Sequence, residues 1–213
     1  MNPTAAPRLG RRSDCLWVNT LIGVVLTAYV DESMRRRRGE AACVYTLVAV
    51  LVADDQLDDV REALRRLRYG KTQIIHWHAE SDRRLPVIAG AIAELPIDGV
   101  VTVLMHRPEI SAERARRLCL SVLLAELRRL AVDRVLFESR QAQDANDLRV
   151  IRSWRRYGRE GAQVRVDFLR KSEEPALWLA DCVAGAFMWW LNGTCDHWSA
   201  IADSCRVVEV EEP

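Results

Sequence analysis

Three carboxylic acids in this sequence each close or interrupt an apolar run. Asp31 follows Val24-Val25-Leu26-Thr27-Ala28-Tyr29-Val30, with Glu32 beside it. Glu138 follows Val135-Leu136-Phe137. Asp181 sits inside Ala176-Leu177-Trp178-Leu179-Ala180-Asp181-Cys182-Val183-Ala184, and at helical spacing it shares a face with Leu177, Ala184 and Met188. A lone ionised carboxylate there costs several kcal/mol unless it is paired or metal-bound. Gathered carboxylates suit Mg2+ or Mn2+, hard cations that take oxygen ligands and keep several waters. Two such ions, roughly 4 Å apart, activate a water and stabilise the leaving oxygen of a phosphodiester. The plainer readings are a polar turn at Asp31-Glu32 and a structural aspartate at 181 that caps backbone or pairs with an arginine.

Other residues add to this chemistry. His76 and His78 flank Trp77, and on an extended segment both imidazoles fall on one side. No third ligand accompanies them at metal spacing, so His76 reads as a proton carrier, a residue that orients a carboxylate, or a structural histidine. Arg35, Arg36, Arg37 and Arg38 form the densest positive charge, next to Asp31. They are candidates for a phosphate backbone or for a solvated hairpin tip. Asp147 is a further candidate metal ligand, whereas Asp144 reads as a cap. Trp189, Trp190 and Trp198 read as core, as a base-stacking surface or as a homodimer contact.

The elements that must position these residues follow from hydrophobic periodicity. The strand up to Val30 passes into a polar turn from Asp31 and then into a second apolar strand, residues 43–52, which together suggest a hairpin. Amphipathic helices are predicted over residues 54–69, 80–95, 111–130 and 144–157, with Ser111 as an N-cap. Strands are predicted at 100–105, 135–138 and 164–169, and Pro175 opens a last helix to about residue 191. Residues 206–210 are a candidate short final strand. Strands alternating with helices favour parallel pairing and the early hairpin favours antiparallel pairing. An α/β fold follows, with a mixed sheet of about five strands and helices on both faces.

Bulk composition sets outer limits. The 213 residues, 49% hydrophobic, suit one domain better than two, with residues 1–20 as a flexible N-terminal tail and 21–213 as the domain. A net charge of +1 gives no global case for nucleic acid, so that case rests on local patches. Lys71 and Lys171 are the only lysines among 31 basic residues. The six cysteines lack disulfide or zinc spacing. The apolar run from Leu16 to Val30 is too short to span a membrane and lacks a signal cleavage site, so a cytoplasmic protein without a membrane partner is expected.

The acids match the dispersed pattern of ribonuclease H-like proteins. Val30-Asp31-Glu32-Ser33, Ile75-His76, the strand ending in Glu138, and Glu174-Pro175-Ala176-Leu177-Trp178-Leu179-Ala180-Asp181 resemble one family in particular, the bacterial and phage domain of unknown function 3800. The resemblance spans roughly residues 25–190. It implies a ribonuclease H-like fold, with Asp31, Glu32, His76, Glu138 and Asp181 near one site and magnesium or manganese held by Asp31, Glu138 and Asp181. Met34 and four arginines stand where the family commonly has glycine. The activity expected is metal-dependent cleavage of DNA or RNA. The alternatives are a non-catalytic binding module in a mobile-element or defence context, with its acids splayed or neutralised by arginines, and a small-molecule hydrolase using His76.

Overall fold

A computed structural model describes residues 25–35, 42–71 and 73–212. The expected tail, residues 1–20, lies outside the described residues, as do Arg36, Arg37 and Arg38.

Strand β1 (Leu26–Arg35) pairs antiparallel with β2 (Cys43–Ala53). Strand β2 is buried along its length up to Val52, which requires cover on both faces of the sheet. β3 (Asp98–His106) extends the antiparallel side, and β6 (Cys205–Glu209) lies parallel to β3 at the edge. On the other side β4 (Arg134–Glu138) runs parallel to β1, and β5 (Arg165–Leu169) runs parallel to β4. The order is β5-β4-β1-β2-β3-β6. This is a six-stranded mixed α/β sheet, consistent with a ribonuclease H-like architecture. The sixth strand is the edge strand β6, which falls on the candidate short final strand and takes the sheet one beyond the expected five or so.

Helices α1 (Leu57–Arg66), α2 (Leu85–Ala93) and α5 (Leu177–Leu191) cover one face, and α3 (Ala112–Arg129) and α4 (Asp144–Arg156) the other. Ser111 does cap α3, its hydroxyl accepting from the Arg114 N–H at 3.2 Å. Helix α5 is apolar all round, as a helix wedged between a sheet and further elements must be. Every residue from Leu177 to Met188 is buried. Among the described residues no helix is long and apolar enough to cross a membrane.

One expectation needs correction. Residues from Asp31 onward do not form a turn: β1 continues through Arg35, with Asp31 opposite Val48 and Arg35 opposite Val44. The long apolar β2 supplies a ladder partner for every one of these backbones, so pairing overrides the polar side chains. The tight turn that a glycine after Ser33 would favour is absent, in keeping with Met34 at that position.

Candidate functional site

The parallel strands β1 and β4 last pair at Val30 and Phe137. Asp31 and Glu138 each come one residue later, so they sit on neighbouring strands at the same end of the sheet. Strand alternation turns Asp31 to the face of Tyr29 and Glu138 to the face of Leu136, and both belong to the core beneath α5. Asp181 opens the second turn of α5. The three predicted acids therefore converge from β1, β4 and α5.

They converge on a lysine. Lys171 lies in the connection between β5 and α5, and its Nζ is 2.9 Å from Asp31 Oδ2, 2.9 Å from Glu138 Oε2 and 2.8 Å from Asp181 Oδ1. An ammonium has three N–H donors, and here each has a carboxylate. Asp181 is held further. Its Oδ2 accepts from the Trp77 backbone N–H at 2.6 Å, and its Oδ1 accepts from His76 Nδ1 at 2.8 Å. That contact fixes the proton of a neutral His76 on Nδ1 and leaves Nε2 as the basic nitrogen. His76 is brought into the site as expected, through the extended segment before the 3-10 turn Trp77–Ala79.

Crowding three carboxylates around one ammonium separates their proton affinities. Burial pushes Asp31 up to about 8; Lys171 pulls it down, while Glu138 and Asp181 add to the rise. Burial would also raise Asp181, but His76, Lys171 and the Trp77 N–H outweigh it and hold the carboxyl at about 2. The hydrogen bond to Asp181 raises His76 above its ordinary value against a smaller effect of burial. Burial alone would lower Lys171, yet Asp31 and Asp181 leave it raised.

Two predicted residues do not join the three acids. Glu32 follows Asp31 in the same strand, so it projects to the opposite face, where it accepts from the Tyr45 hydroxyl and from Arg116. Asp147 packs from α4 toward α3 and is gripped by two guanidiniums, Arg116 Nη2 at 2.8 Å and Arg140 Nη2 at 3.2 Å. Both carboxylates serve a buried ion network and not the lysine-centred cluster. Asp144 is a cap, as read, but of the β4 exit: it accepts from Ser139 Oγ at 2.6 Å and from the Arg140 N–H at 2.7 Å. Of the four arginines only Arg35 is described, and its guanidinium donates to the Asn192 side chain at the end of α5.

A cleft of about 220 Å³ opens over this region. Its lining includes Asp31, Glu138, Asp181, Lys171 and His76, together with Glu32, Arg116 and Arg140. Its volume is below the roughly 300–1,000 Å³ of pockets that enclose a drug-sized ligand. Sequence reasoning missed Lys171, Arg116 and Arg140. The first had a signal: a lysine in a chain that otherwise uses arginine, next to the helix carrying Asp181. The two arginines had none, being scattered among many.

No protein-family model matches the chain, and no curated protein matches it.

Proposed function

We propose that this chain is a divalent-cation-dependent phosphodiester hydrolase acting on nucleic acid, in keeping with its resemblance to the family named above. The observation that carries this reading is the convergence of Asp31, Glu138 and Asp181 on a single cation position at the carboxyl ends of two parallel strands. Crevices at the carboxyl ends of such strands are the usual ligand sites of open α/β sheets. The Lys171 ammonium stands where such a cation would sit, and its three contacts support the reading that one positive centre can be shared by the three oxygens. Oxygen donors of this charge suit magnesium or manganese.

When bound, the cation would polarise the phosphate and lower the pKa of an attacking water. The chain's own residues do the rest. Trp77 and His76 lock Asp181 in one orientation. His76 can take a proton at Nε2. Lys171 holds the same three oxygens that would ligate the cation, so its ammonium would have to leave them for a cation to be held there.

A second reading rests on Lys171 itself. Its ammonium satisfies all three carboxylates without any metal, as in a non-catalytic module whose acids are neutralised internally. One titration separates the two. Manganese binding by calorimetry is expected in the intact protein, at least tenfold tighter in Lys171→Met, and lost in Asp31→Asn and Asp181→Asn variants that still fold. Under the second reading Lys171→Met only destabilises, and manganese neither binds nor restores its melting temperature, with or without an oligonucleotide present.

A further inference from the structure

We infer that Trp189 and His78 form a stacking platform for an unpaired nucleobase, which makes single-stranded nucleic acid the substrate class; this rests on the hydrolase reading above. Of the tryptophans near the C-terminus, two are accounted for by packing. Trp190 and Trp198 close around Phe187, with ring centroids 5.8 and 4.9 Å from it. Trp189 is turned elsewhere. Its Nε1–H donates to His78 Nδ1 at 3.3 Å, and the two rings lie 5.9 Å apart at 51°. The buried Trp77 meets it edge-on at 6.0 Å and 77°, fixing the indole plane. His78 is exposed and lines the cleft, and Trp189 is only partly buried.

The platform continues the catalytic face of α5. Asp181, Gly185 and Trp189 recur every four residues, so they share one face, and Trp189 stands about 12 Å along the axis from Asp181. Gly185 between them packs against the Trp77 indole, and it lines the cleft together with Ala184. The cleft is lined largely by charged side chains, which suit a phosphate backbone better than a flat ring. A base flanking a phosphate held there then meets His78, which lines the cleft, and the Trp189 indole that His78 contacts. Every base has a π face, so such a platform is tolerant of sequence, but a base reaches it only when unpaired.

The test is equilibrium binding of a labelled single-stranded oligonucleotide of roughly 12 nucleotides, within the usual single-strand site size, and of its duplex. Divalent cations are left out, so that binding is read apart from cleavage. The single strand is expected to bind more tightly than the duplex and to quench tryptophan fluorescence. Trp189→Leu, which keeps the apolar packing, is expected to weaken single-strand binding about tenfold, in line with the loss of one stacked base. Trp189→Phe restores most of it, and His78→Ala, which leaves the core untouched, weakens it in the same direction. Equal affinity for duplex and single strand, no binding of either, or unchanged affinity in both Trp189→Leu and His78→Ala overturns the inference. Loss of manganese binding with the single-strand preference intact overturns the hydrolase reading alone.

Discussion

Trp77 occupies the space that a side chain at position 185 would need. A Cβ built on Gly185 would lie 2.3 Å from Trp77 Cγ and Cδ1. The indole is fully buried, and its backbone N–H is one of the groups that hold Asp181. Helix α5 therefore approaches the segment 75–78 at the one place where it has no side chain. This close approach is what delivers His76 to the site.

Gly185→Ala is expected to force the indole aside and to cost about 1–3 kcal/mol, the usual range for overpacking a filled core. Urea unfolding monitored by tryptophan fluorescence reads both effects at once: a lower midpoint and a shifted native emission. A variant with native stability and native emission would mean that Trp77 is not the wedge described here.

The ion network on the opposite face of β1 is structural. Arg116 is 2% exposed and Asp147 is 4% exposed. Breaking such a pair by removing one partner leaves a buried charge, at about 3–5 kcal/mol. Arg116→Met is expected near the low end, because Arg140 still reaches Asp147. Adding Asp147→Leu removes the stranded carboxylate and is expected to recover part of the loss. Asp147→Asn should leave manganese affinity unchanged, measured by the same calorimetry. A loss of metal affinity there would return Asp147 to the metal-binding set.

Asp31 and Asp181 set opposite pH dependences on the stability of the metal-free protein. The unfolded Asp31 ionises near its ordinary value of 3.8, while burial moves the folded group up to about 8. Its contribution is complete below the unfolded value and is lost as pH rises through the folded one. Asp181, held at about 2, contributes fully above 3.8 and loses that contribution as pH falls. Thermal unfolding in a chelating buffer should show stability declining between about pH 5 and pH 8, by at most about 1.4 kcal/mol per pH unit from one proton. Asp31→Asn carries no titrating group at 31 and should lose Asp31's share of this decline, leaving the part that His76, also raised on folding, contributes. An identical slope in the variant would assign the proton to another residue.

Much of this arrangement is legible in the sequence, and the rest is not for identifiable reasons. Asp181 betrays itself because an acid among apolar helix residues demands a partner. Val164, Val166 and Phe168 give away their strand by alternation, and Ser111 its helix by capping chemistry. The continuation of β1 is hidden because Asp31-Glu32-Ser33-Met34-Arg35 is polar, and only pairing with β2 draws it into the sheet. Once the strand continues, the separation of Asp31 from Glu32 follows from alternation alone. Lys171 is set by where the connection between β5 and α5 turns back over the strand ends, a tertiary relationship that no local pattern encodes.

His76 offers the sharpest division between moving a proton and holding a carboxylate. Its Nδ1 is engaged by Asp181, and its side chain is 50% exposed. His76→Gln retains an N–H that can reach Asp181 but has no basic nitrogen, whereas His76→Ala has neither. If His76 carries a proton during hydrolysis, both variants should lose about 10²–10⁴ in kcat, the range of general acid–base catalysis. Manganese affinity should survive in His76→Gln. If His76 only orients Asp181, His76→Gln should recover most of the kcat that His76→Ala loses. Single-turnover cleavage of a single-stranded substrate, read beside manganese affinity for both variants, decides between the two roles. Full activity in His76→Ala would remove His76 from the site's chemistry altogether.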